Sequence, residues 1–74
     1  MKLNEFIDHI KHNSLGIDIF TGGRIEFLGT VGEFKNAIVR QKIGERQIDK
    51  IEPLSHSLNI FLKEVKEDAW RYKK

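Results

Sequence analysis

A chain of 74 residues holds one domain with a small hydrophobic core, which leaves no room for the deep substrate cavity of most enzymes. The chain has no cysteine, which excludes disulfides and thiolate metal sites, and no apolar run near the roughly 18 residues of a membrane span. Its net charge is only +2, but basic residues concentrate within positions 35–50 and 69–74.

The first predicted element is a short amphipathic helix within residues 1–12. Its apolar positions recur at the spacing of one helix face, and they are Leu3, Phe6, Ile7 and Ile10. Three turns of helix are too few to be stable alone. We therefore expect this apolar stripe to pack on the strands that follow.

Residues 15–30, which contain "GIDIFTGGRIEFLG", predict a β-hairpin. A two-residue turn at Gly22-Gly23 mixes apolar and charged side chains on one face, so a three-residue loop, Thr21-Gly22-Gly23, is favoured. In that register Phe20 points away from the core. The inward face then consists of Leu15, Ile17, Ile19, Ile25 and Phe27. A phosphate-binding loop is excluded, because its glycines must precede a helix, and here a strand follows.

The second half of the chain predicts a second short helix, a second hairpin and a terminal segment. Residues 31–43 carry Val31, Phe34 and Ile38 at helical spacing, with Gly44 as the residue that ends the helix. Residues 45–63 predict the second hairpin. Residues 64–74 form either a short helix or a tail.

This order of elements predicts a single α+β domain over residues 1–74. No long helix connects two strands. We therefore expect a small antiparallel four-stranded sheet, or an SH3-like partial barrel, with an N-terminal helix and a second short helix.

The sequence contains no catalytic or metal-binding motif. His9 and His12 lie one helical turn apart, but a zinc site needs three or four ligands and His56 is distant in sequence. Asp18 and Glu26 are predicted neighbours on a solvent-exposed face, which does not favour acid–base catalysis. We predict a non-enzymatic protein without catalytic residues, metal, cofactor or small-molecule substrate.

The main functional hypothesis is contact with another protein. Phe20 and Leu28 lie on the hairpin face assigned to solvent, and Phe61 projects opposite the apolar positions of the last strand. Either the terminal segment with Trp70 covers these groups, or they form a patch that binds a partner or a second copy of the chain. The predicted contact residues are Phe20, Leu28, Phe61 and Trp70.

The alternative hypothesis is nucleic-acid binding, in which basic side chains hold phosphates and an aromatic ring stacks on a base. Acidic residues are interleaved with the basic ones, which weakens this hypothesis. The residues concerned are Lys35, Arg40, Lys42, Arg46, Trp70, Arg71, Tyr72 and Lys73.

The layout of the chain consists of a "MKLNEFIDHI" helix, an "IDIF" strand, a strand ending in "FLGTVGEF" and a final "LNIFL" strand. This layout resembles small uncharacterised accessory proteins of phages and mobile elements in Gram-positive bacteria. The resemblance implies a protein that works by binding. Some proteins of that type inhibit host defence nucleases through an acidic, DNA-like face, whereas this chain is mildly basic. We expect a cytoplasmic protein, because Glu5 and Asp8 stand where a signal peptide is apolar.

A salt titration separates the two hypotheses. Nucleic-acid affinity falls by orders of magnitude between low and moderate salt, because cations compete for the phosphates, whereas an apolar protein contact hardly responds. We expect no binding of an oligonucleotide at low salt, as measured by fluorescence anisotropy. Binding with a steep salt dependence would instead support the nucleic-acid hypothesis.

Overall fold

The computed structural model describes residues 1–64, which form a four-stranded sheet with short helices packed on one face. In chain order the elements are α1 (Leu3–His9), β1 (Gly16–Thr21), β2 (Arg24–Thr30), α2 (Val31–Lys35), α3 (Val39–Ile43), β3 (Ile48–Pro53) and β4 (Ser57–Leu62). Within this described part, no helix has the length and apolar character needed to cross a membrane. Apart from Glu64, the predicted terminal element lies outside the described residues, and so do Trp70, Arg71, Tyr72 and Lys73.

The strand order in the sheet is β2-β1-β4-β3. Two antiparallel hairpins, β1 with β2 and β3 with β4, lie side by side and join through the parallel pair of β1 and β4. The predicted small α+β fold with a four-stranded sheet is therefore confirmed. The central pair is parallel because α2 and α3 return the chain to the end of the sheet where β2 begins. Between residues 1 and 64 the edge strands β2 and β3 do not pair with each other, so the sheet is open.

One face of the sheet carries the hydrophobic core. The predicted stripe of α1 packs there, with Leu3 and Ile7 fully buried. The remaining buried core residues are Ile17, Ile19, Val31, Phe34, Ile43, Ile60 and Leu62. Phe34 also meets Phe27 edge to face, with ring centroids 5.1 Å apart. The predicted inward direction of Ile17 and Ile19 is thus confirmed.

The first turn of α1 is tied to the segment that precedes β3. The backbone N–H of Leu3 donates to the carbonyl of Arg46 at 2.9 Å, and that of Asn4 donates to the carbonyl of Gly44 at 2.8 Å. These bonds satisfy donors that a helix N-terminus leaves free. Gly44 is needed for close approach, since a Cβ there would meet the Asn4 side chain and lie 2.6 Å from the Arg40 carbonyl oxygen.

The predicted helix over residues 31–43 is two helices, α2 and α3. A capping box starts α2: the N–H of Glu33 donates to the Thr30 hydroxyl at 3.1 Å, and the Thr30 N–H donates to the Glu33 carboxylate at 2.8 Å. The helix ends at Asn36, whose side-chain amide donates to the Gly32 carbonyl at 3.2 Å. Ile38, predicted on the apolar face, is 76% exposed because the helix has already ended.

The predicted three-residue loop of the first hairpin is wrong. Thr21 pairs with Arg24, so only Gly22 and Gly23 form the turn. The register then shifts: Phe20 pairs with Ile25, Ile19 pairs with Phe27, and Glu26 is an extra bulge residue. Phe27 therefore faces the core as predicted, whereas Ile25 faces outward with Phe20.

The geometry of the turn predicts that substitution of its two glycines lowers the free energy of unfolding by different amounts. Gly22 has a φ of +59° and Gly23 does not have a positive φ, which matches a type II′ turn. We expect Gly22→Ala to lower the free energy of unfolding by about 1 kcal/mol, because an L side chain disfavours positive φ. The matched control, Gly23→Ala, has open space for its Cβ and should change stability by less than about 0.5 kcal/mol. Urea denaturation measures both, and equal losses would contradict this assignment of the turn.

Candidate contact surface

The sheet face opposite the core, the open face, carries no buried side chain among residues 1–64. Residues that pair in register share a face, so pairing arranges the open face in rows, and two of these rows have one residue from each strand. In the order β2, β1, β4, β3, the aromatic row is Ile25, Phe20, Phe61 and Lys50. In the same order, the polar row is Leu28, Asp18, Asn59 and Glu52.

The centre of the aromatic row is a stacked pair of phenylalanines. The ring centroids of Phe20 and Phe61 lie 5.2 Å apart with an interplanar angle of 20°. The Lys50 ammonium lies 4.9 Å from the centroid of Phe61 and 3.4 Å from the carboxylate of Glu52. Because β4 lies between β1 and β3, Phe20 and Lys50 cover opposite faces of the Phe61 ring. The ring edges are the part left for solvent or a partner.

The apolar border of the open face lies on the edge strand β2. Ile25 is 56% exposed and Leu28 is 59% exposed. The structure places Leu28 on the predicted side, together with Phe20 and Phe61. Ile25 was missed by the sequence analysis, which assigned it to the core. The sequence did contain a signal: a two-residue turn without a bulge mixes apolar and charged side chains on one face. One extra residue in β2 removes this mixing.

A partly buried ion pair lies at the turn end of the sheet, beside the buried Thr21 and therefore on the core side. Arg46 donates to the Thr21 hydroxyl at 3.1 Å and to the carbonyl of Lys63, and its guanidinium lies 3.5 Å from the Glu26 carboxylate. The side chains of Arg46 and Glu26 are only 16% and 14% exposed. Residue 26, predicted on a wet face, is thus turned by the bulge towards Arg46. The contacts connect the turn of the first hairpin to the residue that follows β4.

The charge of Glu26 is favoured by these neighbours. Burial alone raises its pKa, but hydrogen bonds from Thr21 and Arg24 and the positive charges of Arg24 and Arg46 outweigh burial, so the pKa lies below its usual value. Arg24 is 3.1 Å from the same carboxylate. The carboxylate is therefore ionised in the folded protein at neutral pH.

A groove of about 390 Å³ lies at the end of the aromatic row, beside Phe61 and Leu62. Its walls carry both signs of charge, with Lys50 and Lys63 opposed by Asp49 and Glu64. Across residues 1–64, no three histidine, aspartate or glutamate side chains converge as a metal site would require. The groove extends the open face towards the turn.

Within residues 1–64, the predicted basic residues do not come together in one patch. Lys35 donates to the Asn13 side chain at 3.1 Å. Arg40 donates to Asn4 at 2.9 Å and to Asp8 at 2.8 Å, so both cations hold α1 and its following loop. Arg46 lies apart from them, in the ion pair with Glu26, and Lys42 is exposed. The sequence located these charges but gave no signal of their internal contacts.

Comparison with known proteins finds no matching protein family, no matching curated protein and no matching solved structure. Function must therefore be inferred from the open face itself. Its features are a rigid sheet, an apolar border, a stacked aromatic pair and a charged border.

The ion pair predicts an acid-dependent difference between the wild type and Glu26→Gln. A lowered folded pKa stabilises the protein above the usual value of 4.5, and this contribution disappears as pH falls through the lower folded value. We expect the variant to lose about 1–2 kcal/mol of unfolding free energy at neutral pH, with the difference shrinking below about pH 4.5. Urea denaturation from about pH 3 to pH 7 measures it. A difference that stays constant over this range would show that the carboxylate charge does not contribute.

Proposed function

We propose that this chain is a non-enzymatic binding module whose open face contacts another protein. The observation that supports the proposal is a sheet face with exposed Ile25 and Leu28 next to the Phe20–Phe61 stack. Contiguous apolar side chains with a polar border are typical of protein contact sites. Three of the predicted contact residues lie on this face, and Trp70 lies outside the described residues.

The open face is suited to binding because its side chains are already arranged. Strand pairing fixes the backbone of both rows, so little conformational entropy is lost when a partner docks. Complete burial of Ile25 or Leu28 contributes up to roughly 1.5–3 kcal/mol for each side chain. An aromatic pair at the centre of such a patch is a typical position for a binding hot spot.

The aromatic geometry favours a protein over a nucleic acid as the partner. A base stacks on the free face of an aromatic ring. Here Phe20 and Lys50 cover the two faces of the Phe61 ring, and the ring edges remain. Ring edges pack against aliphatic and polar protein side chains. The internal contacts of Lys35 and Arg40 also favour a protein partner, because these two cations already bind side chains of the same chain.

The accessory role in a phage or mobile element, including inhibition of a host factor, is the part of the proposal that depends on the sequence layout alone. The cytoplasmic location stays a prediction of the same kind.

The double variant Ile25→Lys/Leu28→Lys tests the proposed contact. Both positions are exposed, so the fold should persist, while two ammonium groups must lose water if a partner docks on the apolar border. We expect proteins retained by the immobilised wild type from extracts of producing cells to bind at least about tenfold more weakly to the variant. Quantitative mass spectrometry of the retained proteins, after nuclease treatment of the extract, gives the measurement.

The matched control is Ile38→Lys/Leu54→Lys, which places the same charges at exposed apolar positions away from the open face. These side chains are 76% and 53% exposed. The control should retain the same proteins as the wild type. If both double variants lose the same proteins, or neither loses any, the open face is not the contact surface.

A further inference from the structure

On the basis of the proposed function, we propose that the partner on the open face is a second copy of this chain. The two sheets pack face to face, with β2 lying antiparallel across β2 of the second copy and β3 across its β3. The supporting observation is that the two rows of the open face are complementary to each other.

The complementarity follows from the order of residues along each strand. A twofold axis that runs across the strands, between the two rows, places each row over the other row of the second copy. At the β3 border, Lys50 then lies opposite Glu52 of the second copy, and the reverse pair forms by symmetry. At the β2 border, Ile25 lies opposite Leu28 in the same way. Both borders therefore match, one by charge and the other by apolar contact.

The centre of the interface is consistent with the same axis. Phe20 lies opposite Asp18 of the second copy, and Phe61 lies opposite its Asn59. Phe20 and Lys50 cover the faces of the Phe61 ring and Phe61 covers one face of the Phe20 ring, which leaves the ring edges towards the second copy. The edge of an aromatic ring carries positive partial charge, so the Phe20 ring accepts the Asp18 carboxylate as a neighbour. The Asn59 side-chain oxygen is buried within its own chain, so only packing is expected between Phe61 and Asn59.

Other face-to-face arrangements fit less well. A twofold axis parallel to the strands places Lys50 over Ile25 of the second copy and Glu52 over its Leu28, which removes water from charges without pairing them. An axis along the aromatic row places Lys50 over the same residue of the second copy. The axis between the rows is the arrangement that avoids both penalties.

The size of the open face indicates a weak dimer. Four strands spaced about 4.8 Å apart, with roughly six residues each at about 3.3 Å, give a footprint of about 400 Å² per copy. A stable standard interface buries about 800 Å² per partner. We therefore expect a dimer with a dissociation constant of roughly 10 µM to 1 mM.

Charge reversal on β3 tests the arrangement. Sedimentation velocity over roughly 10 µM to 1 mM protein gives the dissociation constant of the wild type and of each variant. Lys50→Glu alone and Glu52→Lys alone each place like charges opposite one another and should weaken the dimer at least about tenfold. The double variant Lys50→Glu/Glu52→Lys restores opposite charges and should recover the dimer to within about threefold. Thermal unfolding of each variant, followed by circular dichroism, checks that the fold persists.

A mixing experiment tests the apolar border independently. Ile25→Lys/Leu28→Lys and Ile25→Glu/Leu28→Glu should each be monomeric alone, because like charges meet across the axis. An equimolar mixture should form heterodimers, since each lysine then lies opposite a glutamate. The control Ile38→Lys/Leu54→Lys should dimerise like the wild type.

A wild type that stays monomeric up to about 1 mM overturns the second-copy proposal, as does a dimer that none of the open-face variants weakens. If the wild type is monomeric and the Ile25→Lys/Leu28→Lys variant still retains fewer proteins from the extract than the wild type does, the open face binds a different protein. A monomer that dimerises only after truncation beyond Glu64 assigns the face to residues 65–74. Either result contradicts the second copy as the occupant. The truncation result also contradicts the proposed contact with another protein.

Discussion

The in-register parallel pairing of β1 and β4 determines both faces of the sheet. On the core side it places Ile19 beside Ile60, and both side chains are fully buried. On the opposite side the next step of the same register places Phe20 beside Phe61 and produces the aromatic stack. A slip of one residue would exchange the faces and put the phenylalanines into the core. Stability of the core and composition of the open face are therefore set by one alignment.

The bulge at Glu26 makes the edge strand compatible with that alignment. Without an extra residue, a two-residue turn would bring Ile25 and Phe27 to the same face. The extra residue sends Phe27 to the core and Ile25 to the open face, and it turns the Glu26 carboxylate towards Arg46. The ion pair then connects the turn of the first hairpin to the end of β4. One inserted residue thus contributes to packing, to charge pairing and to the apolar border.

Local sequence patterns predicted the elements whose stability depends on near neighbours. The stripe of α1 and the alternation of Ile17 and Ile19 were read correctly, because periodicity records which face meets the core. The parallel pair was not predicted, because it joins residues about 41 positions apart and leaves no local pattern. The same limit applies to Arg40, whose contacts with α1 depend on the tertiary fold. Of the candidate surface, Phe20, Leu28 and Phe61 were predicted and Ile25 was not, since its direction depends on the bulge.

A four-stranded sheet has two faces to cover, and the short helices of residues 1–64 pack on one of them. With so small a core, the margin of stability is narrow. A partner that binds only the folded sheet adds stability by mass action, in proportion to the logarithm of its concentration over the dissociation constant. Binding at the open face, as proposed, would therefore be coupled to maintenance of the fold, because the β1–β4 register that presents Phe20 and Phe61 is also the one that buries Ile19 and Ile60.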